Sequence, residues 1–255
     1  MIGEQLQLRY MSWPDIREKI DSGFDTVIIS LGAMEQHGLH LPECTDETIG
    51  IGLSCGLAER LGNALVSPTI IPGLSEHHMV LAGSLSLRPD TFKAVVEDYV
   101  QSYLRHGFKK FIFLASHGGN MDTTIKLIDD FKIKFQDSVF LNALTLDRLI
   151  AILSRIEKES SMPIGSCGGH ACAFETSLML YLAPAYVRMD KAKPGYVGPP
   201  TRELVETMFK YGVTGISEIG VLGDPTMATE ELGKKFFEAA VEVMYQYILE
   251  QTKEE

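Results

Sequence analysis

Tryptophan, cysteine, basic charge and long apolar runs are all scarce in this sequence. Trp13 is the only tryptophan, and it lies in an N-terminal segment far in sequence from the chemistry-bearing residues described below. The four cysteines, Cys44, Cys55, Cys167 and Cys172, make no Cys-x-x-Cys pair, so a reducing compartment leaves them as thiols. No uninterrupted apolar run reaches membrane-spanning length, and Met1 to Arg9 has neither the basic flank nor the apolar stretch of a signal peptide. The expectation is a cytoplasmic protein with no membrane partner. The net charge of −11 comes with no basic stripe, which excludes a nucleic-acid partner. There is no internal repeat or low-complexity linker. With 45% hydrophobic and 22% charged residues the composition is that of a folded chain rather than a disordered one.

What the sequence does have is a strand and helix alternation long enough to bury a large core as one domain over 1–255. Asp25 to Leu31 and Lys110 to Ala115 are short β-branched or aromatic runs that end at glycine-rich loops, and further strands are expected near 64–70 and 138–143. Between the first and second runs, Phe92, Val95, Val96, Tyr99, Val100, Tyr103 and Leu104 recur at helical spacing, with Gly107 placed to end that helix. Other helices are expected over 46–61, 121–135, 171–182 and 227–250. Such alternation predicts an α/β fold, a three-layer α/β/α sandwich with a mainly parallel central sheet. The ligand crevice of such sheets lies beyond the carboxyl ends of the strands. The Pro/Gly-rich stretch 191–200 reads as an ordered loop, either a lid or a subunit contact.

The first strand runs into Gly32-Ala-Met-Glu35-Gln-His37-Gly38-Leu-His40-Leu-Pro42-Glu-Cys-Thr-Asp46. Glu35 and His37 are two apart and leave an extended backbone on the same side, while Gly38 and Pro42 turn the chain and return Asp46. Carboxylates with imidazoles suit zinc, manganese or iron. A second dense patch, Ser116-His117-Gly118-Gly119-Asn120, follows the Lys110 to Ala115 strand. A third runs from Gly168-Gly169-His170 to Cys172 and Glu175-Thr-Ser.

These blocks, followed by Gly220-Val-Leu-Gly-Asp224-Pro225, resemble the creatininase (creatinine amidohydrolase) family in order and spacing. The resemblance implies a two-metal centre and a homohexamer. Carried over by position, Glu35 and His117 hold one metal, His37 the other, and Asp46 bridges both. The creatinine-hydrolysing branch has a glutamate where this chain has Gly119, so Glu175 is assigned as the missing carboxylate ligand. His170 matches the catalytic histidine. His78, in Ser75-Glu-His-His-Met-Val-Leu-Ala-Gly83-Ser84, matches the substrate-side loop. A zinc site from Cys167, His170 and Cys172 is disfavoured by its donor set and spacing. Cys55 and Cys172 read as small packed residues, His40 as support for Asp46 or Glu35, Glu43 and Glu47 as solvated or helix-start charges, Asn120 as a loop tie, and Asp224-Pro225 as a turn opening the last helix.

The chemistry implied is a metal-dependent amidohydrolase of a small cyclic or formyl amide. A metal-bridging hydroxide attacks the carbonyl and His170 passes a proton to the leaving nitrogen. Other branches of the family act on creatinine, a formamide, a ribosomally made peptide or an oxidised inositol ring. The lone Trp13, Gly119 and Leu81–Ser84 all depart from the creatinine branch. Two alternatives from other classes are a metal-independent hydrolase using Ser116 or Cys172, which lacks a nucleophile-elbow sequence, and a metal-bound sensor or assembly protein.

Overall fold

The computed structural model describes residues 3–198 and 202–254. The sheet has four parallel strands, β1 (Thr26–Leu31), β2 (Ala64–Val66), β3 (Lys110–Ala115) and β4 (Val139–Asn142), in the order β2-β1-β3-β4. Every residue of β1 is buried, as expected for a strand covered on both faces. The alternation of side chains sorts its residues between two cores. Val27, Ile29 and Leu31 join Phe111, Phe113 and Phe140 on one face, whereas Ile28 joins Ile112, Leu114 and Leu141 on the other.

The first face is covered by α1 (Trp13–Asp21), α3 (Pro89–His106) and α4 (Met121–Lys134), which contribute Ile16 and Ile20, Phe92, Val96 and Val100, and Leu127, Ile128 and Phe131 respectively. The second is covered by α2 (Thr45–Leu61), α5 (Leu146–Glu159), α6 (Ala173–Leu182) and α8 (Glu230–Glu254). A further helix, α7 (Arg202–Tyr211), contributes none of its described side chains to either core. Pro89 opens α3, and Gly107, with φ of 103°, closes it in the left-handed conformation that favours glycine. Among the described residues no helix is long and apolar enough to cross a membrane.

Several expected boundaries are corrected. The strand expected over 64–70 stops at Val66, because Pro68 has no N–H to offer the ladder; Ile70 touches β1 only through an isolated bridge to Leu31. Pro225 opens a single 3₁₀ turn, Pro225–Met227, capped by Asp224 Oδ1 accepting from Thr226 N at 2.9 Å, and α8 starts only at Glu230. Helices α1, α5 and α7 were not anticipated. The described part of the 191–200 stretch packs on its own chain, with Gly195 N and Tyr196 N donating to Gly223 O and Val221 O at 3.0 Å. Residues 199 and 200 fall outside the described residues.

Register places the chemistry. Leu31 pairs with Ala115, so β1 and β3 end at one level and the loops after them open side by side at the carboxyl edge. Asn120 ties these loops together: its Nδ2 donates to the carbonyls of Leu31 and Gly32 at 3.1 and 2.9 Å, and its Oδ1 accepts from Leu74 N at 3.0 Å. Its expected role as a loop tie is what the structure shows.

Candidate metal centre

At this edge three chain segments converge. The loop after β1 carries Glu35 and His37 and runs straight into α2, whose first turn holds Asp46. The loop after β3 supplies His117. The loop before α6 supplies His170, and Glu175 lies in the first turn of α6. Three donor groups result, each with its ligand atoms within 4.8 Å of one another: Glu35, Asp46 and His117; His37, Asp46 and Glu175; and Glu35, His37 and His170. The first two share Asp46.

The electrostatics are those of an incomplete site. Glu35 and His37 are fully buried, yet both carboxylate oxygens of Glu35, Nε2 of His37 and Oδ2 of Asp46 lack a hydrogen-bond partner. Buried polar atoms are ordinarily paired. Here they face one another at close range: His117 Nδ1 is 3.1 Å from Glu35 Oε1 and 3.4 Å from Asp46 Oδ2, and His37 Nε2 is 3.4 Å from Asp46 Oδ1. Burial pulls His37 toward its neutral form, but Asp46, Glu175 and Glu35 outweigh it and lift the imidazole to about 10. His117 is raised well above its usual range in the same way, by Glu35 and Asp46 against burial. Burial opposes ionisation of Asp46, but His37 and His117 hold it below the ordinary carboxylate range. Glu175 is pushed up by burial. These shifts are those of carboxylates and imidazoles brought close together, an arrangement that a divalent cation would also stabilise.

A Cβ at Gly119 would stand 2.5 Å from Leu74 O and 2.4 Å from His117 Nε2, so this backbone cannot carry a glutamate there.

His170 is held by a residue that sequence reading passed over. Its Nε2 lies 2.8 Å from the backbone carbonyl of Gln36 and 2.9 Å from the Gln36 side-chain amide nitrogen. Nε2 is thus set between a carbonyl that can only accept and an amide that can only donate, and Nδ1 faces Glu35 Oε1 at 3.7 Å. Gln36 Oε1 accepts from Gly38 N at 3.0 Å, which directs its amide N–H groups to His78 Nδ1 at 2.8 Å and Gly220 O at 3.3 Å. Burial, His37 and His78 push His170 well below its usual range, toward the neutral ring. Ala171 beside it has φ of 51°, a left-handed conformation that costs an alanine energy and marks a constrained loop. Its N–H donates to Glu175 Oε2.

His78 is buried against the centre, with Nε2 3.4 Å from Glu35 Oε1 and its ring 4.3 Å from that of His170. His77, also unassigned from sequence, stacks on His117 at 5.8 Å and meets Phe209 of α7 at 5.1 Å. Two expectations are corrected. His40 supports neither Asp46 nor Glu35; its Nε2 bonds Thr176 Oγ1 at 2.8 Å, beside Glu175. Glu43 is half-buried rather than solvated, and burial raises its carboxyl. Glu47 does lie in the first turn of α2, and Cys55 and Cys172 are fully buried.

Comparison with known proteins agrees with this geometry. A family model described as creatininase, creatinine amidohydrolase, matches residues 9–248. The chain is 30% identical over 236 residues to the mycofactocin precursor peptide peptidase of Mycobacterium tuberculosis, covering 88% of this chain and 84% of that protein. It is 26% identical over 249 residues to the creatinine amidohydrolase of Pseudomonas putida, covering 91% and 92%. A crystal structure of creatinine amidohydrolase superposes with a TM-score of 0.80 at 24% identity, covering 96% of this chain and 97% of that one. Fold and relatives define a hydrolase of amide or peptide-like C–N bonds. The chain belongs to the creatininase family.

Proposed function

We propose that this chain is a dinuclear metal-dependent amidohydrolase acting on a small amide. The observation that carries this reading is the set of buried, partnerless donor atoms on Glu35, His37 and Asp46, converging with His117 and Glu175. The donor set of carboxylates and imidazoles fits zinc foremost, with manganese or iron as substitutes. Glu35, Asp46 and His117 would hold one ion and His37, Asp46 and Glu175 the other. When bound, such ions supply Lewis acidity and lower the pKa of water toward neutrality.

The chain's own groups do the rest. His170 would take a proton from the attacking water and pass it to the leaving nitrogen. Gln36 holds the ring in place through its carbonyl and its side-chain amide. His78, anchored by the Gln36 amide, lines the substrate side. Gly118 and Gly169, next to His117 and His170, are exposed.

Creatinine itself is disfavoured. Trp13 is 80% exposed on α1, so no indole is available to clamp a flat ring. A second reading, hydrolysis of a peptide-type amide, is favoured by the identity to the mycobacterial peptide peptidase, 30% against 26% for creatinine amidohydrolase. The remaining expectations are one domain over 1–255, a cytoplasmic location and a homohexamer, the last read by light scattering. The enzymatic test is turnover of a panel of lactams, formamides and short peptides by zinc-, manganese- and iron-reconstituted protein. Turnover of at least one class that chelator abolishes is expected; chelator-resistant turnover would sink the reading.

A further inference from the structure

Behind Glu175 lies a cavity of about 40 Å³, enclosed between β3, α2, α5, α6 and α8. Its walls include Leu144, Ile152, Leu153 and Met244, all buried. Its lining also includes Ser116, Gly169 and Glu175. Each of these three adjoins the candidate centre: Ser116 precedes His117, Gly169 precedes His170, and Glu175 is itself one of the converging donors. The space exceeds what one water needs, but its aliphatic walls offer a water no hydrogen bonds, so water gains little there. The wall atoms that face it also forgo dispersion contacts. Such a void costs stability in an otherwise close-packed core, and it lies against the reacting groups rather than elsewhere.

We propose that this chamber receives a short aliphatic group of the substrate, so that the amides hydrolysed carry a neutral apolar substituent of roughly two to four carbons next to the scissile bond. The proposal rests on the amidohydrolase reading and gives it a substrate class. A charged substituent would be stripped of water against these walls with only Glu175 to meet it, which disfavours acidic groups twice over.

Titration calorimetry on the metal-reconstituted chain, with ion content measured in parallel, tests this. The probes are acetohydroxamate, isobutyrohydroxamate and isovalerohydroxamate, which share one chelating head and differ only in the aliphatic tail. Affinity should rise about fourfold per added carbon. Ile152→Phe, which fills the chamber, should abolish that rise while acetohydroxamate binds as before. Leu153→Ala, which enlarges it, should favour the longest tail and decides the matter if the first variant does not fold. Acetohydroxamate binding with no gain from longer tails would overturn the chamber and leave the metal reading standing. A chain that holds its ions yet binds no hydroxamate would overturn both.

Discussion

Two regions of the same sheet are equally buried and physically opposite. On one face, Phe111 stacks on Phe140 at 5.1 Å, and Phe131 meets both Phe113 and Phe140 at about 6 Å; every ring has an apolar neighbour and nothing more is required. At the carboxyl edge, Glu35, His37, Asp46 and His117 are also buried, but both oxygens of Glu35, Nε2 of His37 and Oδ2 of Asp46 lack hydrogen-bond partners. Burial alone therefore distinguishes nothing. Unmet valence does: the aromatic layer is complete as protein, whereas the edge is complete only with a ligand of opposite charge.

Substitutions should separate the two regions cleanly. The largest effect belongs to the edge. His170→Asn is expected to lower kcat by about 10²- to 10⁴-fold, the range of a lost proton-transfer group, while leaving ion content and melting temperature nearly unchanged. In the aromatic layer the pattern reverses. Phe131→Ala should cost about 3–5 kcal/mol of stability by denaturant titration, with ion content per folded chain preserved.

Gln36→Ala comes next, at about 10- to 100-fold in turnover with the ions retained, because it frees the His78 ring and a polar contact to the His170 loop rather than removing a donor. A loss of ions in that variant would contradict its assigned role.

The smallest effect is one of pH on the chelated protein. The folded pKa of His37, about 10, is above its unfolded value near 6.5. Its contribution is therefore fully present below about 6.5 and is lost as pH rises through about 10. Thermal unfolding in chelator should show that decline across this window, and metal-loaded protein, whose imidazoles are already deprotonated, should lack it.

The donor cluster was legible in the sequence because it is local. Glu35, His37 and Asp46 lie in one loop after a recognisable strand, and register alone carries His117 beside them. Helix α5 carries Leu149, Ile152, Leu153 and Ile156 at helical spacing, a periodicity that the expected element order did not include. The contacts of Gln36 were not legible. A glutamine between two charged residues reads as a spacer, and its partners, His78, His170 and Gly220, come from three distant segments. His40 was misassigned for the same reason: its partner Thr176 is set by how α6 packs against the first loop. His77 becomes part of the site only because a 3₁₀ turn over Glu76–His78 tucks under α7, a tertiary event with no local signal.

The decisive measurement is metal content per chain, by plasma mass spectrometry, for the purified protein and for Asp46→Ala. About two ions in the first and a loss of more than one in the second is the result expected of a carboxylate shared between two sites. Fewer than one ion after reconstitution with zinc, manganese and iron, or an Asp46→Ala variant that keeps its full complement, would contradict the bridged centre and with it the proposed hydrolase.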